Sequence, residues 1–277
     1  MKKNRFLHRA AALLAALLTA IALSGCENTL PQESVQTEAT QFVAQPNPYF
    51  NHYFLNAVNR GDSKQLRGKV LLVFFLVSDR ESRWDAGSAQ TLREAHKQAA
   101  EVMKAEAASY GAELEVSHKY ILCTIEGTLD RIDYSAQVRV ALEKAGYTVP
   151  DKVCRKLRQE HDVDEVALLF CVNRADRSFA ASSRDVRGFE YGVLYGKNED
   201  YRHELYHLFG AKDLYPASVK HIGNKYFPTS VMMDSRLVVD ELTAYLIGWR
   251  DTLSEKAVAF LEETKHINGD NFKGDFD

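Results

Sequence analysis

The chain has 277 residues, 45% hydrophobic and 26% charged, which places it with folded globular proteins and away from disordered chains. Its formal net charge of -3 is spread without a basic cluster, which argues against nucleic-acid binding. Its four cysteines, Cys26, Cys123, Cys154 and Cys171, form no CxxC pair, so neither a cysteine zinc site nor a thioredoxin-like redox motif has support.

Residues 1–25 open with Lys2, Lys3 and Arg5 and continue through an apolar stretch from Ala10 to Leu23. This is the pattern of a secretory signal, and the apolar run is short for a membrane span. Leu23-Ser24-Gly25-Cys26 resembles a bacterial lipobox. That resemblance implies cleavage before Cys26, a lipid on the new N-terminal cysteine, and an extracytoplasmic protein held at a membrane. An uncleaved anchor helix is the other reading, with the same side of the membrane. Loss of Lys2, Lys3, Arg5 and Arg9 takes the formal charge from -3 to -7. Residues 26–48 are rich in Gln, Glu, Thr and Ser with three prolines, too polar to offset their ordering entropy, and read as a flexible tether.

A folded domain is expected over 49–277, with an N-terminal part (49–210) and a smaller C-terminal part (211–277). Lys69–Ser78 (KVLLVFFLVS) and Glu165–Val172 (EVALLFCV) are unbroken apolar runs, as strands covered on both faces require. Ser88–Tyr110 reads as a helix stopped by Gly111, and Glu113–Ile125 as one or two strands. Ala136–Gly146 and Val149–His161 read as helices, the second with Pro150 at its start. Asn173–Arg187 carries four arginines and reads as a solvated loop, or more sharply as a substrate-contacting rim. Gly188–Gly196 is a strand candidate, Leu237–Trp249 and Ser254–Thr264 are helices, and 268–277 is a frayed tail. The fold class is therefore α/β or α+β, a mixed sheet with helices. Cys123 and Cys171 fall in apolar runs and read as small buried hydrophobes, with one disulfide among Cys123, Cys154 and Cys171 left open.

The chemistry concentrates in Tyr201–Asp213. On a helix His203 and His207 lie one turn apart on one face, where two imidazoles can share a zinc ion, with Glu204 beside them for a metal-bound water. Gly210 suits a left-handed helix stop, and beyond it Asp213 can return as a third ligand. The plainer alternative is an amphipathic helix with two ordinary histidines.

His203-Glu204-x-x-His207-x-x-Gly210-x-x-Asp213 resembles the elongated zinc motif of the metzincin metallopeptidases, in its variant with Asp as third ligand. Thr229-Ser230-Val231-Met232-Met233-Asp234 resembles the methionine-containing turn of that group, with a helix after it. The likeness covers Glu199 to about Trp249. It implies a zinc cofactor on His203, His207 and Asp213 with a position open to water, and Glu204 as general base toward that water and then proton donor to the leaving amine. It also implies Met232 or Met233 as an apolar floor under the metal, a C-terminal subdomain carrying the Met-turn, and a protein or peptide substrate. A tyrosine two residues after the turn methionine is absent, since Asp234 or Ser235 stands there, leaving Tyr215 and Tyr245 as nearby candidates. Glu241 resembles the third ligand of the thermolysin-like zinc peptidases and competes with Asp213, as does His221. In the preferred reading Glu241 serves as an acceptor that orients a ligand histidine. A non-catalytic zinc-binding lipoprotein, and a zinc hydrolase of peptidoglycan cross-links or another amide, are the rival functions.

Overall fold

The two longest apolar runs lie side by side at the centre of a five-stranded sheet. The computed structural model describes residues 52–130, 133–182, 189–196 and 201–267. The signal segment, Cys26, the tether and the C-terminal tail lie outside the described residues. Strands β1 (Gly68–Ser78), β2 (Leu114–Thr124), β3 (Glu165–Val172), β4 (Phe179–Ala181) and β5 (Tyr191–Tyr195) run in the order β2-β1-β3-β5-β4. The pairs β1–β2, β1–β3 and β3–β5 are parallel, and β4 closes one edge antiparallel to β5. The protein is thus mixed α/β, as its sequence pattern led one to expect.

Period-two alternation splits the central strands between two cores. Val70, Leu72, Phe74 and Leu76 of β1 face one side with Leu169 and Cys171 of β3. Leu71, Val73, Phe75 and Val77 face the other with Val166, Leu168 and Phe170. Helices α2 (Tyr134–Lys144) and α3 (Val153–His161) cover the second side through Val138, Leu142, Cys154 and Leu157. Helix α1 (Ala86–Ser109) covers the first through Leu92, Ala99 and Met103. A capping box starts α1: the Asp85 side chain accepts from the Ser88 N–H while the Ser88 hydroxyl faces the Asp85 N–H.

The first core also takes in α4 (Arg202–Leu208) and residues from the described C-terminal helices α5 (Lys220–Tyr226), α6 (Glu241–Leu246) and α7 (Glu255–Glu263). Trp249 Nε1 donates to the Leu66 carbonyl at 2.6 Å, and Phe54 meets Phe260 edge-on at 5.0 Å. The parts before and after residue 210 therefore share one hydrophobic core.

Glu113–Ile125 yields one strand, β2, within the one or two expected, at an edge of the sheet with Leu122 exposed. Three elements differ from the sequence expectation. Strand β4 forms inside the stretch read as a loop; its three residues are too few to carry a periodic signal. Helix α5 was not anticipated; it follows Pro216 and stops at Phe227, whose successor Pro228 disfavours helical backbone. Instead of a helix over 237–249 there is only the short α6. Asp240 caps it by accepting from the Leu242 and Thr243 N–H groups, Val238 is drawn off to bond Val231, and Gly248 ends the turn at φ 89°. The cysteines Cys123, Cys154 and Cys171 are free and buried, so no disulfide forms among the three.

Candidate metal centre

Helix α4 is seated by its neighbours before it presents any chemistry. Leu205, Tyr206 and Leu208 enter the core, and burying each such side chain is worth about 1.5–3 kcal/mol. Glu106 of α1 accepts from Arg202 Nη1 at 2.9 Å and, through its other oxygen, from the Val239 N–H at 3.3 Å. One partly buried carboxylate thus ties α1, α4 and the approach to α6. On the sheet side β5 offers Gly192, where a Cβ would sit 2.8 Å from Leu169 Cδ2 and 3.9 Å from Glu204 Cβ. The missing side chain makes room for Leu169 of β3, while α4 packs at ordinary contact distance.

The end of α4 is a Schellman turn. The Gly210 N–H donates to the His207 carbonyl and the Ala211 N–H to that of Tyr206. Gly210 takes φ 99°, and a Cβ there would stand 3.1 Å from the Ala57 carbonyl oxygen, so both conformation and space call for glycine. The turn does two things at once. It brings the Ala211 carbonyl to His207 Nδ1 at 3.0 Å, and it returns the chain so that Asp213 lies under both imidazoles.

His203 is held in the same way from another segment, its Nδ1 standing 2.9 Å from the Val231 carbonyl. A carbonyl only accepts, so each ring donates from Nδ1 and, when neutral, leaves a lone pair on Nε2. Those two Nε2 atoms lie 3.2 Å apart, and Asp213 Oδ1 lies 3.1 Å from each. With both rings neutral, three electron-pair donors therefore converge on one buried point and Asp213 Oδ1 has no hydrogen-bond donor; a proton on either Nε2 would supply one. Three such donors are a set that can hold a metal ion. A tetrahedral zinc shell with ligand distances of about 2.0–2.1 Å has edges of about 3.3 Å, so the triangle has the size of one face. Glu204 closes the group, with donor atoms of His203, Glu204 and His207 all within 4.8 Å of one another.

The electrostatics follow from these contacts. Burial disfavours a charged His203, but its bond to Asp213 and the charges of Asp213 and Glu204 outweigh burial and lift the ring to about 9. Burial also opposes the Asp213 anion, yet the two imidazoles hold it well below the ordinary carboxylate range. Glu204 goes the other way: burial raises it although His207, His203 and Arg177 favour its anion. Tyr215 stacks on the His203 ring at 6.3 Å and its hydroxyl bonds Asp213; burial and that carboxylate push the phenol up.

The methionine-containing segment supplies the Val231 carbonyl. Ser230 is the knot of this turn: its hydroxyl donates to Asp240 and accepts from the Met232 N–H at 3.0 Å. The Met232 carbonyl accepts from the Leu214 N–H at 2.9 Å, linking the turn to the residue after Asp213. Met232 is fully buried, and Met233 is partly buried beside Gly223.

The structure thus gathers His203, Glu204, His207 and Asp213, with the 230–233 turn behind them. Glu241 opens α6, where its carboxylate faces Lys256 Nζ at 3.7 Å, and no contact among the described residues joins it to the histidines. His221 is exposed on α5, on the side of Glu263, and Tyr245 packs against the core. Three participants carry no distinguishing mark in the sequence. Arg177, which donates to the Tyr215 hydroxyl at 2.9 Å, was one of four arginines in a polar stretch. The carbonyls of Val231 and Ala211 carry no sequence signal at all. No family model matches the chain, and no curated protein matches it.

Proposed function

We propose that the protein is a zinc-dependent endopeptidase of metzincin type, lipid-anchored through Cys26 outside the cytoplasm. The observation that carries this reading is the triangle of His203 Nε2, His207 Nε2 and Asp213 Oδ1, with edges of 3.1 and 3.2 Å and Glu204 alongside. A structural zinc site would call for four protein ligands; three with an adjacent carboxylate fit a hydrolytic centre. The edge position of β4, next to α4, is compatible with an extended peptide lying along the sheet.

Zinc held by His203, His207 and Asp213 would supply Lewis-acid polarisation of the scissile carbonyl and of the attacking water. The remaining work belongs to the chain. Glu204, with its carboxyl raised by burial, is suited to take the proton of that water and return it to the departing amine. The Val231 and Ala211 carbonyls fix both imidazoles with Nε2 directed inward. Tyr215 holds Asp213 from the side.

Chelation and zinc add-back on peptide libraries tests the reading: turnover should vanish with the metal and return with it. Cleavage that survives metal removal would overturn the proposal. Incorporation of a labelled fatty acid, lost on Cys26→Ala, tests the anchor.

A further inference from the structure

Of the two arginines described in the polar stretch after β3, one is turned inward. Arg174 donates to Asp79 and to the Leu129 carbonyl and lies over the Tyr195 ring, so its charge is absorbed by the fold. Arg177 is the opposite case. It is exposed, two residues before the edge strand β4; its backbone N–H donates to Asp176, and the one hydrogen bond of its guanidinium among the described residues is the 2.9 Å donation to the Tyr215 hydroxyl. No carboxylate pairs with the guanidinium among the described residues. The partner is a neutral phenol, itself bonded to Asp213 and stacked on His203. The guanidinium is therefore fixed a single phenol away from the candidate metal centre, and its charge acts on Glu204. Arg236, by contrast, is closed by a two-point pair with Asp234 at 3.0 and 2.7 Å.

A guanidinium carries five N–H donors in a planar fork, and the phenol uses one of them. The others have no partner among the described residues, and the side chain is exposed. Resting on the peptidase reading above, we infer that Arg177 is a specificity residue that binds a carboxylate of the substrate next to the scissile bond, with Tyr215 holding the guanidinium in place. The carboxylate can come from an acidic side chain or from a free C-terminus. These two share the same charge-assisted, two-point recognition by arginine.

Capped peptide pools identical except for Glu or Asp in place of Gln or Asn separate the first source; the same neutral pool with a free C-terminus isolates the second. Binding is read by fluorescence anisotropy on zinc-loaded Glu204→Gln protein, and turnover on the unaltered protein. One of the two carboxylate pools is expected to bind about tenfold tighter than the capped neutral pool, with the gap narrowing as salt rises. Arg177→Gln should remove the gap, and Arg177→Glu should turn the preference toward Lys-containing pools. Equal binding of all pools by the parent protein, or a gap unchanged in Arg177→Gln, overturns the assignment. Turnover of all pools at equal rates would overturn it while leaving the peptidase reading intact. Preferential binding without any cleavage would support Arg177 and remove the peptidase instead.

Discussion

Replacing Asp213 by asparagine removes a charge and keeps the shape, and its consequence can be worked from one pair of values. In the metal-free protein His203 is lifted from 6.5 to about 9, chiefly by Asp213 against the effect of burial. A group whose folded value is raised adds stability that is complete below its unfolded value and is lost as pH climbs through the folded one. The net shift, pairing less burial, therefore corresponds to about 3 kcal/mol at pH 6 and to well under about 1 kcal/mol at pH 9. The lowered Asp213 value describes the same contact and adds nothing further in this window, since pH 6 already lies above the ordinary carboxylate range. For a domain of this size each kcal/mol is about 2–4 °C, so Asp213→Asn should unfold about 6–12 °C below the parent at pH 6 and nearly with it at pH 9. Thermal unfolding of chelator-treated protein at the two pH values reads the difference. A gap that is equal at both, or that widens with pH, would refute the reasoning. Zinc should invert the trend, stabilising the parent more at pH 9, where fewer protons on His203 compete with the metal than at pH 6.

Glu204→Gln should retain zinc by elemental analysis yet lose about 10²–10⁴-fold in turnover, and unchanged turnover would remove its role as proton carrier. Glu241→Gln, altering a partner of Lys256, should leave zinc content intact and move stability by no more than about 0.5 kcal/mol; loss of zinc would instead favour Glu241 as a ligand. Ser230→Ala leaves the Met232 N–H and Asp240 short of a partner in a buried turn and should cost about 1–3 kcal/mol in urea unfolding, with weaker zinc binding through Val231. Reducing agent should leave the unfolding midpoint unchanged, because Cys123, Cys154 and Cys171 are all free.

The central strands were legible because burial on both faces forces the long apolar runs KVLLVFFLVS and EVALLFCV. Helix α4 and its stop were legible because His203, His207 and Gly210 each answer a strict geometric demand. What stayed hidden was set by contacts between distant segments. The helix expected over 237–249 shrank to α6 because Val238 pairs with Val231, a partner seven residues away that no periodicity announces. β4 escaped notice since three residues cannot show an alternation. Arg177 looked like its neighbour Arg174; only their partners, Tyr215 in one case and Asp79 in the other, separate them.

The two groups that aim the imidazoles, the carbonyls of Val231 and Ala211, belong to the main chain. Every residue type carries that oxygen, so no single side-chain replacement can delete either one. The aim of His203 and His207 is consequently insured against most point changes and vulnerable only to those that reroute the backbone. At Ala211 such a change is one that Gly210 cannot tolerate; at Val231 it is one that undoes the Ser230–Asp240 bond. Residues that look incidental to the histidines thus decide where their rings point, while Val231 and Ala211 themselves are constrained by their burial in the core and not by the carbonyls they lend.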